Sequence, residues 1–254
     1  KMNRQLFILL VLVIRLFKKI KMIKKKLDVN YDGWELKFFD KSKNFRNYQL
    51  ELIKNYIKGH VAEVGPGNGT NLSYYIKYPK KIDLYEPTKK LYLNLKKNFQ
   101  KNKKISTYNK KFTTHKKKYN SILYLDVLEH IKDDKNEILN AFKSIKKNGY
   151  LIINVPAYSH LYSKFDEDVG HHKRYEKEDI RFLFKSLKFK KLNLKYYDSI
   201  GYILSLLSKL TSSDYKLRFE QKIKVWDSLI PISKIIDFLI GNLFGKSLLV
   251  IVKK

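Results

Sequence analysis

Apolar positions along this chain alternate between two spacings. Over residues 44–58 (NFRNYQLELIKNYIK), Phe45, Tyr48, Leu52 and Tyr56 or Ile57 recur at helical spacing, and Gly59 closes the run. A β-branched stretch then breaks into glycines (HVAEVGPGNGTN), which predicts a strand, a tight turn and a helix over 72–78 ended by Pro79. The pattern continues with strands over 81–86, 105–108, 121–125, 150–155, 189–197 and 247–252, and helices over 88–99, 135–145 and 178–187. On the helix over 135–145, Ile138, Leu139, Phe142 and Ile145 share one face, and Gly149 is the expected cap. Pro156 is expected to stop the fifth strand.

Strands alternating with helices in this way predict an α/β fold: a Rossmann-like, mainly parallel seven-stranded sheet with helices on both faces. Ligands of such sheets sit at the carboxyl ends of the strands, near the point where the strand order reverses. The glycine turn falls there. Residues 200–245 break the alternation with apolar runs at 203–210 and 229–243, so they read as a helical insertion before the last strand. The expected organisation is one domain over 31–254, preceded by a basic and apolar segment over 1–30.

In that segment, residues 6–17 (LFILLVLVIRLF) are apolar apart from Arg15, with Lys1, Arg4, Lys18, Lys19 and Lys21 around them. The run is shorter than the roughly 20 residues a membrane span needs, and no small-residue cleavage site follows. Two readings stand. One is a helix lying on a membrane surface; the other is sequence upstream of a natural start at Met22.

Charge changes the choice of partners. The formal net charge is +30, so the chain is drawn to anionic surfaces. Only six of the 54 basic residues are arginine, however, and recognition of phosphates and base edges draws on the guanidinium fork. Lysines scattered along the whole length read as a compositional bias more than as selected nucleic-acid binding, although the charge attracts anionic surfaces whatever its origin. The chain has no cysteine, which excludes disulfides and thiolate zinc sites. The expected location is the cytoplasm, with peripheral association at the inner face of the membrane.

Four stretches carry candidate chemistry. In Glu63-Val64-Gly65-Pro66-Gly67-Asn68-Gly69 the glycines allow a sharp turn and close approach of a ligand. The spacing is GxGxG, not the GxGxxG of dinucleotide binders; with an acid two residues upstream it suits a ligand with a cationic amino-acid end and no phosphate. Glu86 ends the second strand, where a carboxylate can accept both hydroxyls of a ribose. Asp126, Glu129 and His130 follow the fourth strand in LDVLEHI. Their spacing puts them on one face of a helical turn, as a base, a metal site or a structural network. The fourth stretch, after the fifth strand, gathers Tyr158, Tyr162, Asp166, Asp168, His171, His172, Arg174 and Tyr175. So many polar and aromatic residues beside the expected ligand site read as a substrate-facing lid.

Together these residues resemble the class I S-adenosylmethionine-dependent methyltransferases. EVGPGNG is similar to their first motif, YEP to their ribose-binding acid and LDVLEHI to their motif after strand four, as in ubiquinone-pathway O-methyltransferases. FRNYQLELI, VPAYSHLYSKFDEDVGHHKRY and FGKSLLVIVKK resemble a bacterial branch often encoded near glycosyltransferases. The resemblance runs from about Phe45 to Lys254.

It implies S-adenosyl-L-methionine as cofactor, with Glu63 bearing on its amino end through the turn and Gly65, Gly67 and Gly69 along its methionine and ribose. It further implies Glu86 on the ribose hydroxyls, Phe112 beside the adenine and Asp126 closing the methionine side. Asn109-Lys110-Lys111 lacks the acid many members use for the adenine amino group, which leaves adenine to backbone groups and packing. The implied reaction is methyl transfer, expected at oxygen, to a small-molecule, glycan or lipid-linked acceptor. His130, His171 and His172 are the candidate bases, and Tyr162, Arg174 and Tyr175 the candidate acceptor-binding residues. No metal ligand set is assigned. The rivals are a nicotinamide-dependent oxidoreductase, which the glycine spacing opposes, and a non-catalytic binding module, which intact Glu63, Glu86 and Asp126 oppose. A base-amino methyltransferase would carry a proline-rich motif where Asp126-Val127-Leu128-Glu129 stands.

Overall fold

The computed structural model describes residues 33–113, 117–210 and 216–254; the apolar run over 6–17 lies outside them. The sheet is built from β1 (His60–Val64), β2 (Lys81–Tyr85), β3 (Ile105–Tyr108), β4 (Tyr119–Leu125), β5 (Ile145–Pro156), β6 (Lys191–Tyr197) and β7 (Ser247–Lys253). Their order is β3-β2-β1-β4-β5-β7-β6. The first five strands pair in parallel, and β7 runs antiparallel between β5 and β6. The order reverses between β1 and β4, so the crevice at their carboxyl ends is the expected ligand position.

The strands are apolar on both faces because both faces are covered. Along β4, Ile122 and Tyr124 join one core with Ile138, Phe142, Ile153 and Val250, while Leu123 and Leu125 join the other with Phe45, Leu72, Ile82 and Trp226. The first layer is supplied by α5 (Asp134–Lys143) and α7 (Lys177–Phe184). The second is supplied mainly by α2 (Lys43–Ile53), α3 (Thr70–Tyr75), α4 (Lys89–Phe99) and α9 (Phe219–Leu239). Short helices α1 (Leu36–Phe39) and α6 (Lys164–Asp168), and α8 (Ser199–Leu210), complete the helical elements used below.

Two local expectations are corrected. The helix expected to reach Ile145 stops at Lys143, and Ile145 instead opens β5 opposite Tyr119. Gly149 is a strand residue and not a helix cap: a Cβ there would lie 2.8 Å from the Asn120 carbonyl, at the register shift between β4 and β5. Pro156 does stop β5, as its last residue, paired with Ser247.

The insertion is two-faced. Along α9, Ile223, Trp226, Ile230, Ser233 and Asp237 are buried at helical spacing. Val225, Ile232, Ile235 and Leu239 lie on the other side and are half or more exposed. Its attachment is polar as well as apolar. Asp237 accepts from the Asp198 and Ser199 N–H groups at 2.6 and 2.9 Å and from the Tyr48 hydroxyl at 2.9 Å. Asp198 in turn accepts from Trp226 Nε1 at 2.8 Å and the Gly201 N–H at 2.9 Å. Among the described residues, no helix is long and apolar enough to cross a membrane.

Removing Asp237 leaves three buried donors without an acceptor, each worth about 1–3 kcal/mol. Asp237→Ala is expected to lower unfolding free energy by about 3 kcal/mol or more in urea titrations. Ile235→Ala, on the exposed side of the same helix, should stay within about 0.5 kcal/mol of the parent.

Candidate active site

The glycine turn follows β1 directly. Gly65, Gly67 and Gly69 all have positive φ, which a side chain would strain. At Gly65 a Cβ would also come within 2.8 Å of the Val127 methyl carbons, so the loop after β4 packs straight onto the turn. Glu86, buried at the end of β2, reaches the same place: Oε2 accepts from the Gly67 N–H at 3.1 Å and Oε1 from the Thr88 N–H at 2.8 Å. Burial raises the Glu86 pKa, opposed by these two N–H groups. Asn109 Nδ2 donates to the Glu86 carbonyl at 2.9 Å and fixes the strand end.

The acid at the end of β4 is held by an internal network. Asp126 adopts a left-handed backbone, φ 59°, which costs a non-glycine residue free energy. Asn154 Nδ2 donates to Asp126 Oδ1 at 2.6 Å, and the Tyr197 hydroxyl donates to Asn154 Oδ1 at 2.8 Å. Gln49 Nε2 donates to Tyr197, and Arg46 Nη1 donates to Gln49. Arg46 Nη1 also lies 3.6 Å from Asp126 Oδ2. Arg46 is buried, and its Nε has no hydrogen-bond partner. Sequence reasoning did not assign Arg46. Its signal was available, since it is one of only six arginines and interrupts the apolar spacing of α2.

The loop after β5 is pinned from within. Asp166, fully buried, accepts from Ser163 N and Oγ at 2.9 and 3.0 Å, from His171 Nδ1 at 2.8 Å, and from Arg174 Nε and Nη2, both at 3.0 Å. Burial pushes its pKa up, but the His171 and Arg174 contacts outweigh that and hold it at about 2. Arg174 is therefore an internal ion-pair partner, not an open acceptor-binding group. Tyr175 is likewise removed from the pocket: it is fully buried, and its hydroxyl donates to Asp134 at 2.9 Å. The Tyr162 hydroxyl donates to the His171 carbonyl at 2.8 Å. Phe112 is buried with its ring edge-on to Tyr85, at 5.1 Å between centroids.

His130 and His171 meet at the carboxyl edge, with ring centroids 4.7 Å apart, beside buried Glu129. Burial, and next His171, lower the His130 pKa to about 3. Burial and the Asp126 charge push Glu129 well above the usual carboxylate range. His172 is exposed; its backbone N–H donates to the Glu129 carbonyl at 2.7 Å. An aromatic cluster adjoins this edge through Phe165, whose ring centroid lies 6.4 Å from that of His171. Phe165 of α6 lies 5.6 Å from Phe219 of α9, and Trp34, just before α1, lies 5.4 Å from Phe219. A separate cleft of about 600 Å³ opens on the outer side of the glycine turn between Asn68, Thr70 and Asn98; it includes neither Glu86 nor Asp126.

The sequence profile of a family described as a methyltransferase domain matches residues 39–196. The chain belongs to that family. It is a class I methyltransferase, and its cofactor is S-adenosylmethionine. Solved structures share the fold. A SAM-dependent methyltransferase from Archaeoglobus fulgidus aligns over 89% of this chain and 100% of its own at 18% identity and a TM-score of 0.57. The N-methyltransferase NodS from Bradyrhizobium japonicum, with S-adenosyl-l-homocysteine, aligns over 89% of this chain and 93% of its own at 13% identity and a TM-score of 0.56. Phosphoethanolamine N-methyltransferase 2 from Haemonchus contortus, with S-adenosyl-L-methionine, aligns over 90% of this chain and 61% of its own at 14% identity and a TM-score of 0.60. No curated protein matches the sequence.

The methyltransferase keeps a titrating acid beneath its glycine turn. Burial pushes Glu63 up to about 7 from its ordinary 4.5, against the hydroxyl of Tyr75 and the charge of Arg46, which lower it. Between those values the folded chain binds a proton that the unfolded chain releases. The resulting stabilisation is full below about pH 4.5 and is lost as pH rises through about 7. Denaturation of the wild type and Glu63→Gln across pH 5–8 should show the wild type losing up to about 3 kcal/mol relative to the variant as pH rises. Parallel profiles would show that Glu63 does not titrate in this range.

Proposed function

We propose that this methyltransferase methylates an oxygen of a small-molecule, glycan or lipid-linked acceptor, working in the cytoplasm at the inner face of the membrane. The observation that carries the cofactor half is the contact of buried Glu86 with the Gly67 N–H, which joins the strand-end acid to the glycine turn. Bound S-adenosylmethionine supplies a methyl carbon already activated by the sulfonium. Glu86 takes the ribose hydroxyls, the glycine turn faces the ribose and methionine, and Asp126 takes the methionine ammonium. Arg46, with its unpartnered Nε, takes the methionine carboxylate.

The protein then has to align the acceptor with the methyl and exclude water. The aromatic cluster formed by Trp34, Phe165 and Phe219 serves exclusion. Oxygen is the proposed acceptor atom: a hydroxyl must lose its proton, and His171, held by Asp166 through Nδ1, can take it at Nε2, whereas burial holds His130 at about 3, too weak a base for that step. The same histidines were candidates from sequence. His172 is too exposed for the role, and Tyr162 shapes the loop through the His171 carbonyl.

Calorimetry with S-adenosylhomocysteine tests the cofactor half. Glu86→Ala should weaken binding by about 2–3 kcal/mol while the fold survives, and NAD should not bind. Binding of NAD alone would overturn the reading. Labelled donor incubated with glycan and lipid extracts would identify the acceptor.

The membrane half rests on α8 and α9. Ile203, Leu207, Val225, Ile232, Ile235 and Phe238 are exposed on these helices, among exposed Lys209, Lys222, Lys224 and Lys234. Apolar side chains beside lysines suit an anionic bilayer surface. The wild type should float with vesicles containing phosphatidylglycerol at low salt, and Ile235→Glu with Phe238→Glu should reduce bound protein about tenfold. No flotation of the wild type would refute the membrane assignment.

A further inference from the structure

We propose that Glu129, His130 and His171 form a binding site for one divalent transition-metal ion. Each offers one ligand atom, and these atoms lie within 4.8 Å of one another. They come from two different loops at the carboxyl edge of the sheet: the 3₁₀ turn Leu128–His130 after β4 and the pinned loop after β5.

The imidazoles are oriented from behind, as metal-binding histidines usually are, by a carboxylate or a backbone group on the far ring nitrogen. Asp166 already accepts from Arg174 and Ser163, so it acts as a carboxylate, and His171 Nδ1 is the donor in their 2.8 Å bond. In the neutral ring this leaves Nε2 with its lone pair, directed toward Glu129. On His130 a ring nitrogen bonds to the Gly170 backbone.

Glu129 supplies the independent evidence for a cation. Its side chain is 1% exposed, and Oε2 has no hydrogen-bond partner. Oε1 lies 3.8 Å from His171 Nε2, beyond hydrogen-bonding reach. A buried polar oxygen left without a partner is costly, and a cation between Glu129 and the two imidazoles would remove that cost. An ion at about 2.0–2.2 Å from each ligand requires the ligand atoms to stand about 3–3.5 Å apart. The widest separation in the cluster must therefore shorten by up to roughly 1.3–1.8 Å on binding. Two imidazoles and one carboxylate favour zinc, cobalt, manganese or ferrous iron over magnesium or calcium, and three ligands leave coordination positions open.

Three protein ligands would leave positions for an acceptor hydroxyl; this part rests on the methyltransferase reading above. With the ion bound, both imidazole lone pairs are engaged, so the ion takes over the part of the histidine base: the hydroxyl proton passes to water and the oxygen–methyl bond forms. The carbon–sulfur bond breaks with its electron pair returning to sulfur, and no oxidant or reductant is needed. A lowered acceptor pKa is the metal's contribution.

The test uses untagged full-length protein dialysed against EDTA and titrated with Co²⁺. The visible absorption of bound cobalt and elemental analysis are the readouts. One equivalent should bind per chain. Glu129→Gln, close to isosteric, and His130→Asn should each weaken binding at least tenfold, whereas His160→Asn, outside the cluster, should bind like the wild type. S-adenosylhomocysteine affinity should stay unchanged in all three. Absence of cobalt binding in the wild type, or equal binding in Glu129→Gln and His130→Asn, overturns the metal site. Failure of S-adenosylhomocysteine binding with cobalt retained overturns the cofactor reading instead.

Discussion

A buried hydrogen-bond chain from Tyr197 through Asn154 to Asp126 ties the carboxyl ends of β6, β5 and β4 together. Asp126 follows β4 with a left-handed backbone, a conformation that persists only where the surroundings hold it. Asn154 does so twice: its side chain binds the Asp126 carboxylate, and its carbonyl accepts the Asp126 N–H at 2.9 Å. The chain continues through Gln49 to Arg46, so one network sets both the acid and the cation at the head of the cofactor crevice. Val127, the next residue, closes onto Gly65. Loss of the asparagine would release the β4 loop, the glycine turn's cover and the orientation of α2 together.

A second network does the same for the loop after β5. Asp166 accepts five hydrogen bonds from Ser163, His171 and Arg174. Charged groups are tolerated there because each has partners. The positioning of His171 beside Glu129 and His130 is a consequence of that anchoring. Among the described residues the buried arginines are Arg46 and Arg174, and each anchors one of these networks. A planar fork can satisfy several acceptors at once, while the abundant lysines mostly remain at the surface.

The helical insertion is joined to the sheet by two buried aspartates instead of by hydrophobic contact alone. Asp198 and Asp237 each accept several donors, which lets α8 and α9 sit at a fixed place while part of their apolar surface remains exposed. The same helix thus serves the core through Trp226 and offers Ile232 and Ile235 outward.

Local patterning was enough to determine the alternation of strands and helices and the place of the glycine turn after the first strand. These follow from short-range causes: β-branched runs that pair only as strands, the 3.6-residue spacing of α2, and glycines whose positive φ is needed within a few residues. Gly149 escaped that reasoning because what it must accommodate, the Asn120 carbonyl, lies on another strand. Tyr175 and Arg174 looked available for a substrate because a polar residue in a loop carries no local sign of burial. Only the packed fold brought Asp134 and Asp166 to them. Arg46 and Asp126 are 80 positions apart and His130 and His171 are 41 apart, so no periodicity links either pair. Their proximity comes from the strand order, which puts β4 between β1 and β5 and gathers distant loops at one edge.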